Sequence, residues 1–170
     1  LESLTAQSWF DGDYNASDLS EFLESTSQGA MDLLHGPSEQ CIAIISNIHQ
    51  SGKGFWAYRD RDRDYSVRLG LYKNKKQPNP GQNILLTLSA DTNDVITAEP
   101  CAVVAMDDVG SEEGEIDVNP KGYGFVNGIF VPASLITEGS NGQRVKIVKI
   151  LGFDKSKNRH SWKAIALQLV

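Results

Sequence analysis

The sequence predicts an all-β chain: two consecutive five-stranded barrels, preceded by a short N-terminal helix. Three observations carry this prediction. From Cys41 onward, short β-rich runs alternate with polar turns; the same order of runs and turns occurs twice; and charge is segregated along the chain. A composition of 40% hydrophobic residues fits a globular protein with many loops.

The helix is expected within an acidic segment, residues 1–40. Ser17 precedes Asp18, Leu19, Phe22 and Leu23, with Glu21 three positions after Asp18, a capping arrangement with acids in the first turn. Leu19, Phe22, Leu23, Ala30, Leu33 and Leu34 form an apolar stripe, and Gly36-Pro37 stops it. Upstream, Trp9 to Tyr14 is an aromatic and acidic cluster in irregular chain. Such a segment either covers a barrel face or docks onto a protein partner.

The first barrel is expected over 41–106. Its strands are read as Cys41–Ile48, Phe55–Tyr58, Tyr65–Tyr72, Asn83–Ser89 and Glu99–Met106, with turns at Ser51-Gly52 and Pro78–Gly81. The charged run Arg59–Asp64 alternates in sign and reads as a hairpin tip. Residues 107–113, acidic and containing Gly110, read as a linker. The second barrel, 114–170, is read as Gly114–Val118, Lys121–Val126, Ile129–Val131, Arg144–Phe153 and Ser161–Leu169. Lys53-Gly54-Phe55 corresponds to Lys121-Gly122-Tyr123, and Pro80-Gly81-Gln82 to Asn141-Gly142-Gln143, which suggests an internal duplication.

The net charge of −6 conceals opposite halves. Residues 1–40 hold eight acids and no Lys or Arg, whereas residues 118–170 hold eight basic residues against Glu138 and Asp154 alone. The acidic total therefore does not exclude a phosphate-bearing partner. Cys41 and Cys101, far apart and outside any CxxC, suggest neither a metal site nor a disulfide framework, and a reducing compartment, cytoplasmic or nuclear, is expected. No run approaches the length of a membrane span. Leu1 in place of a start methionine suggests a piece of a longer protein. His35, His49 and His160 are isolated, Asp11-Gly12-Asp13 lacks an EF-hand continuation, and no phosphate loop or dinucleotide fingerprint occurs. No enzyme activity, cofactor or metal is expected.

The chemistry concentrates at Lys121-Gly122-Tyr123-Gly124-Phe125-Val126 and Ile129-Phe130-Val131-Pro132-Ala133-Ser134. Alternation in an extended strand places Lys121, Tyr123 and Phe125 on one face. In the next strand Ile129 and Val131 enter the core and Phe130 joins the outer face. Bases stack on such exposed rings, and nearby cations contact phosphates. The two motifs resemble the KGFGFI and VFVHxS motifs of cold-shock domains. Gly114-Glu115-Ile116, Gly142-Gln143-Arg144-Val145 and Trp162–Leu167 extend the resemblance over the second unit.

That resemblance implies an OB-type barrel and single-stranded nucleic-acid binding in RNA metabolism, with RNA favoured over DNA. The expected contacts are Lys121, Tyr123, Phe125 and Phe130, with Arg144, Lys146 and Lys163 on phosphates and Lys53 and Phe55 from the first copy. In that copy the second outward aromatic reads as replaced by Ala57, with Trp56 and Tyr58 turned to the core. The second copy lacks the family's tryptophan–phenylalanine pair, having Val118-Asn119 instead, and Pro132 and Ala133 replace its histidine and following aromatic. The alternative function is a protein-interaction adaptor in which another element covers the aromatic face.

Overall fold

The computed structural model describes residues 37–170. The expected N-terminal helix lies outside the described residues. Among the described residues, ten strands form two five-stranded sheets.

The first sheet contains β1 (Ser38–Ile48), β2 (Gly54–Asp60), β3 (Arg63–Arg68), β4 (Asn83–Ser89) and β5 (Val95–Pro100), in the order β3-β2-β1-β4-β5. Alternate residues of its strands supply the core: Ala43 and Ile45, Phe55 and Ala57, and Ile84, Leu86 and Leu88. Ile44 is buried as well, because the other face of β1 is also covered.

This sheet departs from the expected closed barrel. The chain leaves β3 at Arg68 and makes a 3-10 turn over Leu69–Leu71, so the strand read as Tyr65–Tyr72 is cut short. Tyr72 and Lys73 then reach β5, through one parallel bridge from Tyr72 to Ala98 and the Lys73 N–H donated to the Ala98 carbonyl at 2.8 Å. The last strand also lies earlier than Glu99–Met106. It pairs Val95 to Pro100 with β4, and the Cys101 N–H donated to the Asn83 carbonyl at 3.1 Å is the last bond of that ladder.

The second sheet is a closed barrel of β6 (Val109–Val118), β7 (Gly124–Val126), β8 (Ile129–Val131), β9 (Arg144–Asp154) and β10 (Arg159–Leu169), ordered β10-β8-β7-β6-β9. Ile116, Val126, Ile129, Val131, Val145, Ile147 and Ala164 fill it. The long β6 makes closure work: its first part pairs with β9 and Ile116–Val118 with β7. A parallel pairing of Lys163 with Phe130 joins β10 to β8. Asn127 and Gly128, both at positive φ, form the tight turn between β7 and β8.

The acidic run expected as a linker is strand from Val109 onward. It lies against the basic β9, where Glu112 accepts from Lys149 at 3.0 Å and Glu113 from Arg144 at 2.9 Å. Lys149, aided by Asn127, holds the Glu112 carboxyl below its usual range.

The two sheets meet along an apolar seam of Ile44 and Tyr58 from the first and Ile150 and Ile165 from the second. The Tyr58 hydroxyl donates to the Leu151 carbonyl, and burial pushes that phenol far above the ordinary tyrosine range. Beside the seam, the β2–β3 hairpin tip is anchored by Asp108. Its carboxylate accepts from Arg61 Nη2 at 2.8 Å, Arg61 Nε at 3.2 Å and the Arg61 backbone N–H at 2.9 Å. Arg63 pairs with Asp60 at 2.6 Å and Arg59 donates to Tyr65, while Arg61 reaches across to Asp108.

Hydrogen bonding by Arg61 holds the Asp108 carboxyl below the usual range. A carboxyl lowered in the folded state stabilises above its unfolded pKa and loses that contribution as pH falls through its folded value. Asp108→Asn is therefore expected to lower the melting temperature near neutral pH. The difference from the unsubstituted chain should shrink below about pH 4, where the unfolded carboxyl titrates. Melting curves at stepwise pH values check this; a constant difference down to pH 2 would contradict it.

Candidate nucleic-acid interface

The outer face of β7 and β8 carries the aromatic residues expected there. Phe125 and Phe130 are directly opposed across the two strands, 39% and 37% exposed, with ring centroids 6.1 Å apart. Tyr123, half-buried, completes the cluster at 6.0 Å from Phe125 and 5.5 Å from Phe130. Three rings thus form one patch. The β7–β8 turn holds two of them in register, and the core residues Val126, Ile129 and Val131 anchor the backbone behind. Gly124 is required for this approach, since a Cβ there would sit 2.7 Å from the Asp117 carbonyl oxygen of the neighbouring strand.

Lys163 stands beside the patch as the β10 partner of Phe130. Both belong to the lining of an open cleft of about 1200 Å³ that also receives Trp56 and the β9–β10 hairpin. On that hairpin Phe153 and His160 pair across the strands, with ring centroids 5.4 Å apart. Lys155, Lys157 and Arg159 line the cleft there too. Among the described residues, no ion pair engages these three cations or Lys163. Behind the hairpin, Lys149 Nζ lies 4.7 Å from the Trp162 ring centroid.

Of the residues expected to make contact, Tyr123, Phe125, Phe130 and Lys163 come together. The others do not. Lys121 is exposed but sits in a turn before β7, because the strand expected over Lys121–Val126 begins only at Gly124. The Asn119 N–H donates to the Tyr123 carbonyl and closes that turn. Arg144 is engaged by Glu113, and Lys146 lies opposite Glu113 on β9, outside the cleft lining. Lys53 lies in the β1–β2 turn, also outside it.

Phe55 requires a correction. It is fully buried in the first core, edge-on to Tyr72 at 5.3 Å, and cannot present a face to a base. Its outward neighbour is Trp56, 40% exposed, with Tyr58 two residues on buried in the inter-sheet seam. The reason is a one-residue slip. The buried alternation pairs Phe55 and Ala57 with Gly124 and Val126, so Trp56 takes the position of Phe125. Sequence reasoning missed Trp56 and the hairpin residues Phe153, Lys155, Lys157, Arg159 and His160. The hairpin was legible in part as a basic run ending in aromatic flanks, Phe153 to His160.

A small closed five-stranded barrel with exposed rings on its central hairpin and cations alongside is an arrangement of the OB type. Residues 111–167, nearly the whole of that barrel, match the family described as S1/CSD-like domain 2 of the TOTE conflict systems. Among solved structures, one titled "drosophila Unr CSD456" aligns with 10% sequence identity and a TM-score of 0.35, covering 82% of this chain. This chain spans 66% of the length of that structure. No curated protein matches.

Proposed function

We propose that this chain is a single-stranded nucleic-acid-binding module of a larger protein of RNA metabolism, with RNA as its ligand and the second barrel as its binding element. The observation that carries this reading is the Tyr123–Phe125–Phe130 patch, three rings turned outward on a sheet and flanked by the unpaired Lys163. Bare rings lose little by leaving water for a base, and stacking contributes about 1–3 kcal/mol per base. The similarity to a domain numbered second in its systems supports a preceding partner domain, the place that the first sheet occupies here. That sheet serves mainly as scaffold, because its outer face is partly spent on the seam at Tyr58 and on Arg61–Asp108.

The phosphate contribution makes affinity salt-dependent. Anisotropy titrations of fluorescein-labelled single-stranded RNA and DNA, at two salt concentrations, are expected to show micromolar or tighter binding that weakens as salt rises, with RNA bound more tightly. Equal affinity for DNA would remove the RNA preference. Absence of binding to either strand, by the whole chain and by one lacking residues 1–36, would remove the reading and favour a protein ligand for the same face.

A further inference from the structure

The cleft places a ring from the first sheet beside the patch on the second. Trp56 shares its face of β2 with Tyr58, which packs against Ile150. Ile150 is the β9 partner of Lys163, and Lys163 is the β10 partner of Phe130. Trp56 and the three-ring patch therefore line one continuous opening rather than two separate faces. Gly152, two residues beyond Ile150 on the same face, adds no side chain to obstruct it. Along β10, from Lys163 to Arg159, the floor continues for about 13 Å at 3.3 Å per residue. Over that distance the face carries Lys163 and Arg159, with Asp154 of β9 opposite Arg159 and the Phe153–His160 pair on the alternate face.

We propose that Trp56 is a second stacking platform, so that one single strand crosses from the Tyr123–Phe125–Phe130 patch to the first sheet through this cleft. This rests on the nucleic-acid reading above. A single strand is the occupant that fits, because it alternates flat apolar bases with phosphates. The cleft lining likewise brings rings together with Lys155, Lys157, Arg159 and Lys163, although Asp60, Asp62, Asp64 and Asp154 also line it. Trp56 faces outward because Phe55 and Ala57 on either side of it fill the core, so the first sheet supplies a base contact without keeping the phenylalanine expected to provide it.

The test separates the path from the reading. Affinities of the full chain, Trp56→Ala, Trp56→Phe and Tyr123→Ala/Phe125→Ala are measured by anisotropy for fluorescein-labelled oligouridylates, from the shortest that binds upward. A ligand that must reach the first sheet gains affinity with length until Trp56 is engaged. Trp56→Ala is expected to lose about 5- to 100-fold on the longer oligonucleotides while changing the shortest less than about twofold. Trp56→Phe should retain most of the affinity at every length. A Trp56→Ala effect that is absent, or equal at all lengths, while the double variant still abolishes binding would overturn the path and leave the nucleic-acid reading standing. If the unsubstituted chain binds no oligouridylate at any length, both fall.

Discussion

Replacing Tyr123 and Phe125 together by alanine is expected to weaken single-stranded RNA binding by roughly 30- to 1,000-fold, the equivalent of about 2–4 kcal/mol for two stacking rings. The patch has two properties that make this the largest binding effect in the molecule. Its rings touch one another at 5.5–6.1 Å, so removing two leaves Phe130 without flanking surface. It also lies outside the barrel core, which Ile116, Val126, Val131, Val145 and Ile147 fill without it. The double variant should therefore stay folded, with a change in stability under about 1 kcal/mol. Anisotropy titration and thermal melting on the same preparations separate the two quantities. A loss of binding accompanied by unfolding would assign the rings to structure instead.

Alanine at Phe55 should do the reverse. Phe55 is fully buried among Ala43, Ile45, Val67, Tyr72, Ile84 and Leu86, and truncating a phenylalanine in such a core costs about 3–5 kcal/mol. A domain of this size has a total stability of only about 5–15 kcal/mol, so Phe55→Ala removes a large fraction of it. Urea unfolding should show a lower midpoint with little change in slope. The folded fraction should bind RNA as the unsubstituted chain does. Trp56→Ala, one residue on, should leave the urea midpoint nearly unchanged and act on binding. Were Phe55→Ala to cost under 1 kcal/mol while lowering affinity, the outward reading of Phe55 would be restored.

That contrast also marks where the sequence was readable. The motif around Tyr123, Phe125 and Phe130 was legible because a short hairpin fixes its own alternation: Asn127-Gly128 sets the turn, and Val126, Ile129 and Val131 declare the inner face. In the first copy no such turn fixed the register. Aligning Lys53-Gly54-Phe55 on Lys121-Gly122-Tyr123 shifted the strand by one residue, which exchanges every inner and outer side chain.

Other misreadings share a different cause, which is long-range pairing. Asp107–Glu113 looked like solvated linker because its partners lie far along the chain: Arg61 for Asp108, Lys149 for Glu112 and Arg144 for Glu113. The same pairings set Arg144 against Glu113. Closure of the first sheet depended on whether β3 ran through Tyr72. The 3-10 turn at Leu69–Leu71 interrupts it, leaving a single bridge to Ala98. A cation count per segment showed that the second half was basic. Which cations stayed unpaired was decided by the registers of β6 with β9 and of β9 with β10.

Photochemical cross-linking tests the aromatic patch most directly. The full chain is irradiated with single-stranded RNA containing 4-thiouridine, and the adducts are located by peptide mass spectrometry. Adducts are expected on Tyr123, Phe125 or Phe130, and none on the buried Phe55. Adducts confined to other surfaces, with these three rings unmodified, would contradict the account.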